Sequence, residues 1–128
     1  MGYDWLYNEL SDEVRALAAD RLKRYAVSEA LGWQIYNRSG NWNQVCNAGM
    51  TGAAIVSYEF NPELSREVIT RGIKSNLKAA RDIYVANGAF PEGPGYWSYG
   101  TCYQAYLIMM WECAFGTDFG ASNMPGFS

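Results

Sequence analysis

At 128 residues the chain holds one domain at most, residues 1–128, long enough to bury a core of its own. Hydrophobic residues make up 49% and charged ones 18%, with five Trp and ten Tyr, which excludes a disordered chain and leaves more apolar surface than a small domain easily hides. The net charge of -3 offers no basic field for nucleic acid or an acidic membrane, though it leaves room for a local basic cleft; with no histidine, Ser-His-Asp sites, Cys-His pairs and most catalytic zinc sites are excluded within the chain.

Cys46, Cys102 and Cys113 show no metal-ligand spacing and are read as reduced, buried side chains, so no metal or other cofactor is expected. No apolar run reaches the roughly 20 residues that span a bilayer, and the amino terminus lacks the basic-then-apolar pattern of a signal peptide.

In chain order, Tyr3 to Leu10 reads as a short helix with Trp5, Leu6 and Leu10 turned inward, stopping at Ser11. Ser11 caps the next helix, with Asp12 and Glu13 at the positive end of its dipole. Val14, Leu17, Ala18, Leu22 and Tyr25 recur at helical spacing to about Leu31, and Arg15, Arg21, Lys23 and Arg24 form a solvated face. A polar break over 37–43 precedes a third helix built from small residues, where Gly49, Gly52, Ala53 and Ala54 permit close approach of a neighbour. One of Asn41, Asn43 and Asn47 is expected to cap it, and the same amides could hold a carboxylate. Asn61-Pro62-Glu63 opens a fourth helix with Leu64, Val68, Ile69, Ile73, Leu77 and Ala80 on one face, ending near Val85 before Asn87-Gly88. A last helix carries Tyr103, Tyr106, Leu107, Met110, Trp111 and Ala114 and stops at Gly116; Asp118 to Ser128 reads as a loop. No sustained two-residue alternation appears, so the expected class is all-α, with antiparallel helical hairpins.

Between the last two helices lies Phe90-Pro91-Glu92-Gly93-Pro94-Gly95-Tyr96-Trp97-Ser98-Tyr99-Gly100-Thr101, read as a loop running into a helix. A pyranose offers C–H faces for stacking on Trp or Tyr and hydroxyls for carboxylate and phenol hydrogen bonds, so Glu92, Tyr96, Trp97 and Tyr99 suit a sugar. The plainer alternative is an aromatic helix start that packs into a core.

Four motifs in order give a resemblance to the heparinase II/III-like polysaccharide lyases: Tyr3-Asp4-Trp5-Leu6-Tyr7 with Leu10-Ser11, Asn41-Trp42-Asn43-Gln44-Val45-Cys46-Asn47 with Gly49, Pro91 to Gly100, and Gly116-Thr117-Asp118-Phe119-Gly120. The resemblance implies part of an (α/α) toroid whose cleft holds an acidic polysaccharide, in a protein acting in the periplasm or outside the cell. It implies that the chain is a piece of a longer protein, with apolar flanks uncovered and prone to self-association. The implied reaction is β-elimination on a uronic acid polymer of heparin-, heparan- or alginate-like type, which needs the carboxylate neutralised, a base at C5 and an acid at the departing O4. By resemblance Tyr99 is the first choice of catalytic tyrosine and Tyr96 the second. Asn41 or Asn43 neutralises the carboxylate, Glu92 orients a tyrosine or binds hydroxyls, and Trp42 and Trp97 stack. Better-known members carry a histidine in the region matching Asn41-Trp42-Asn43 or later in the toroid, and this chain has none. The alternatives are a glycoside hydrolase with Glu92 as one of two carboxylates, for which Asp82 and Asp118 are the available partners, or a noncatalytic carbohydrate-binding or scaffold segment.

Overall fold

The computed structural model describes residues 2–84 and 88–127. The described chain is all-α, without strands. The short helix α1 (Gly2–Leu6) continues as a 3-10 turn (Tyr7–Glu9), and α2 (Asp12–Leu22) runs through a π-helical turn (Lys23–Val27) into α3 (Ser28–Gly32). A 3-10 turn (Gln34–Asn37) then leads to α4 (Asn41–Val56), α5 (Pro62–Ile83) and α6 (Pro94–Phe115).

These last three helices form the body of the molecule, and their side-chain pairings give their directions. Asn43 meets Ser75 while a Cβ on Gly72 would stand 2.5 Å from Thr51 Oγ1, so α5 runs antiparallel to α4. Tyr84 meets Thr101 while Asn76 meets Gln104, so α6 reverses again and lies parallel to α4, with Gly100 against Asn41 and Gly52 against Met110. Small residues set these distances: a Cβ on Gly52 would sit 2.9 Å from the Met110 sulfur, so the close approach expected of the small-residue helix exists on both of its flanks. The apolar core divides in two. Leu107, Trp111, Ile83 and Tyr84 gather around α5 and α6, while Val27, Ala30, Ile35, Val68 and Ile69 gather between α5 and the α2–α3 segment.

Between the two clusters runs a polar seam of Asn43, Gln44, Asn47, Thr51, Ser75, Asn76 and Gln104, all buried. Asn76 and Gln104 exchange two amide hydrogen bonds of 2.8 Å, each satisfying the other's donor and acceptor.

Several sequence expectations hold. The Ser11 side chain accepts from the Val14 N–H at 3.3 Å, Pro62 opens α5, and Gly116 ends α6 in the left-handed conformation at φ 71°. On α5, Val68, Ile69 and Ala80 are buried, with Leu64, Ile73 and Leu77 packed against them. Gly88 has φ 76°, whereas Val85 and Asn87 lie outside the described residues.

Other expectations are corrected. Trp5 and Leu6 face solvent, because α1 and the 3-10 turn after it set Tyr3 and Tyr7 toward the molecule instead, with their rings edge to face. Val14, Leu17 and Tyr25 are also exposed, because α2 and its π turn contact the body through Ala19 and Val27. No Asn side chain caps α4; Gly40 occupies the N-cap position. Cys102 and Cys113 are exposed rather than buried, and Cys46 is half-buried.

The C-terminal turns close over the core. Phe127 meets the Tyr84 ring at 5.1 Å, and Phe119 meets Trp111 at 5.6 Å. Asp118 organises this stretch by accepting from the Gly120 N–H at 2.9 Å, the Ser122 N–H at 2.8 Å and the Ser122 hydroxyl, which together lower its carboxyl to about 2. No helix among the described residues is long and apolar enough to cross a membrane.

The amide exchange gives a direct test. Asn76→Leu or Gln104→Leu alone strands a buried amide and is expected to cost about 1–3 kcal/mol in urea unfolding. The double variant is expected to recover part of that loss, and additive single effects would show that the pair is not coupled.

Candidate functional site

Two of the motifs, some fifty residues apart in sequence, meet through one carboxylate. Glu92 sits in the turn before α6, and its Oε2 accepts from the Asn41 backbone N–H at 2.7 Å and from Asn41 Nδ2 at 2.9 Å. The first turn of a helix has free N–H groups and a positive dipole end, so a carboxylate from another segment closes it as an N-cap side chain would. Gly40 makes room for this contact. It holds φ 90°, and a Cβ there would stand 3.1 Å from Glu92 Oε1. On the other side of the turn Gly93, at φ 83°, delivers the chain into Pro94 at the start of α6.

Residues 94–101, read from sequence as a loop, are therefore the first two turns of α6. Gly100 lies so close to Asn41 and Gln44 that no larger residue fits there without displacement. Tyr96, Tyr99, Tyr103 and Tyr106 then fall at i, i+3, i+7 and i+10 along one helical stripe. Tyr99 and Tyr103 rings stand 5.0 Å apart edge to face, and Tyr103 and Tyr106 rings 6.0 Å apart. Tyr96 is 57% exposed, Tyr99 48%, Trp97 44% and, across on α4, Trp42 62%. The expectation of accessible rings is met at all four positions, and the buried-core alternative does not describe them.

The protonation state of Tyr99 is set mainly by the Tyr103 phenol beside it. Hydrogen bonding to Tyr103, its charge, slight desolvation and the Cys46 thiol on α4 all raise the Tyr99 phenol above its ordinary value of 10.0. Tyr99 is thus a neutral hydroxyl at pH 7, able to donate a proton and unsuited to act as a resting base.

The asparagines occupy different ground from that expected. Asn43 is fully buried, and its Nδ2 lies 2.9 Å from the Arg38 carbonyl, 2.9 Å from Ser75 Oγ and 3.2 Å from the Ile35 carbonyl. Its Oδ1 accepts from Asn47 Nδ2 at 2.9 Å. Asn41 is buried too, with its amide on Glu92. Both amides hold the fold together at the mouth of α4, and Asn43 has no face left for a ligand carboxylate. Glu92 likewise orients α4 rather than a tyrosine.

Tyr103 and Tyr106, read from sequence only as residues of the last helix, are the further rings of the stripe. Their signal was the 96, 99, 103, 106 spacing, legible only once the helix is begun at Pro94. An apolar hollow of about 290 Å³ adjoins the stripe between Tyr103, Tyr106 and the Gly49–Ala53 side of α4, and another of about 270 Å³ lies beside Trp97, lined by Phe90, Gly93 and Pro94. Among the described residues no cluster of three His, Cys, Asp or Glu side chains could hold a metal ion. Compared with known proteins, the chain matches no family model and no curated sequence.

Because Glu92 supplies the cap of α4 from a distance, Glu92→Ala is expected to lower unfolding stability by about 0.5–2 kcal/mol in urea titration. Glu92→Gln, which keeps an acceptor oxygen, should lose less; equal losses would show that the capping oxygen contributes nothing.

Proposed function

We propose that this chain is the saccharide-facing part of an (α/α) toroid in a polysaccharide lyase, cleaving a uronic-acid polymer of heparin-, heparan- or alginate-like type by β-elimination. The observation that carries this reading is the neutral, half-exposed Tyr99 on a tyrosine stripe, held by the Glu92–Asn41 contact between two motifs that the family resemblance joins. Exposed Trp42, Trp97 and Tyr96 around it supply stacking faces for sugar rings.

In this reading Tyr99 gives its proton to the departing O4, the acid half of the elimination, and Tyr103 keeps it protonated between turnovers. Tyr96, one turn earlier on the stripe, is the second phenol within the same surface. Asn41 and Glu92 act as positioning residues. Neutralisation of the substrate carboxylate and removal of the C5 proton fall to other groups of the full-length protein, and such a protein works in the periplasm or outside the cell.

A hydrolase on the same scaffold is less well supported, since Glu92 is engaged on α4 and Asp118 on its own loop. A noncatalytic carbohydrate-binding role is the second reading, favoured by the internal use of both asparagine amides.

The test is incubation of the full-length protein with uronic acid polymers, following the ultraviolet absorbance of the unsaturated product. Tyr99→Phe is expected to lower turnover at least a hundredfold with little change in affinity, as removal of a general acid does. New reducing ends without absorbance would indicate hydrolysis, and binding without either would leave the noncatalytic role.

The proposal extends to assembly. Trp5, 75% exposed, Leu6, Leu17 and Tyr25 are all large apolar side chains left uncovered, which suits self-association. Light scattering of the chain at moderate concentration is expected to show dimers or larger species, and a clean monomer would count against this.

A further inference from the structure

A cleft of about 540 Å³ lies between the 36–39 segment and α5. Its charged lining is Arg38, Arg71, Lys74, Lys78 and a single carboxylate, Asp82. Four of the ten Lys and Arg residues thus converge in a chain whose net charge is -3, so the cleft runs against the sign of the rest of the molecule.

Two features show that this is more than a solvated face. Arg71, Lys74 and Lys78 follow one another at i, i+3 and i+7 on α5, a like-charge row whose helical anions stand only at its ends, Glu67 one turn before and Asp82 one turn after. Only Arg71 is paired, with Glu67 at 2.5 Å; Arg38, Lys74 and Lys78 make no ion pair among the described residues. The walls are also fixed. Ser75 Oγ donates to the Tyr36 carbonyl at 2.9 Å and Asn43 Nδ2 to the Arg38 carbonyl at 2.9 Å, stitching the loop to both helices, while the buried Tyr36 hydroxyl has no partner among the described residues.

We propose that this cleft is an anion subsite for the carboxylate or sulfate groups of an acidic sugar chain. The inference rests on the saccharide reading above and adds to it a site away from the tyrosine stripe. The two regions are joined through the first turn of α4, where Glu92 accepts from Asn41 and Asn43 Nδ2 donates to the Arg38 carbonyl. A sugar acid fits better than nucleic acid because the cleft offers one ring, Tyr36, and no row of aromatics for bases.

The experiment is calorimetric binding of a heparin hexasaccharide, an alginate hexasaccharide, a neutral cellohexaose, sodium sulfate and a single-stranded DNA dodecamer. Each is measured on the wild-type chain, on Lys74→Gln/Lys78→Gln and on Trp97→Ala, with folding checked by circular dichroism. The double lysine variant is expected to weaken the two acidic hexasaccharides about tenfold or more, with a shallower salt dependence and no effect on cellohexaose. Unchanged affinity in that variant would overturn the subsite, as would sulfate ion or the DNA binding as tightly as the hexasaccharides with the same lysine dependence. Loss in the lysine variant alone would keep the cleft and count against the aromatic surface. Loss in Trp97→Ala alone would do the reverse.

Discussion

A carboxylate from the turn before α6 completes the first turn of α4, and the arrangement of the surface around it follows from that contact. The Asn43 N–H is met by the Gly40 carbonyl and the Asn41 N–H by Glu92, while the Asn43 side chain turns inward to the Arg38 and Ile35 carbonyls and caps nothing. The same contact fixes where α6 begins, and hence which side of it carries Tyr96 and Tyr99. The glycines serve this joint in different ways: Gly40 and Gly93 by their backbone conformation, Gly100 by its lack of a side chain.

Much of the fold was legible because local signals and burial agree along α5. Asn61-Pro62 marks its start, and its apolar face is the face that is buried. Gly116 stops α6 for the same kind of local reason. Where the sequence misled, tertiary context decided. Val14, Leu17 and Tyr25 recur at helical spacing, yet α2 reaches the body through small Ala19 and the π turn's Val27, so periodicity alone could not say which face is covered. Two glycines and a proline in 93–95 read as a loop, although Pro94 is well suited to a first helical turn. Asn43 advertised a polar mouth and instead works in the interior, a distinction that depends on Ser75, more than thirty residues away.

The candidate site was half visible on the same grounds. Composition pointed to Tyr96, Trp97 and Tyr99, and their exposure agrees with it, but the partner that raises the Tyr99 phenol is Tyr103, which the sequence reading placed on the last helix without joining it to them. The basic cleft could not be read at all from net charge. It forms from one residue of a loop and three of a helix, and only folding brings these cations together.

The seam of buried amides and hydroxyls between α4, α5 and α6 bears on mechanical behaviour. Apolar faces slide over one another at modest cost, whereas paired amides do not. A one-turn slip of α6, about 5.4 Å, would part Gln104 from Asn76 and Thr101 from Tyr84 at once. These pairings hold α5 and α6 in longitudinal alignment, since any slip of one along the other breaks them together.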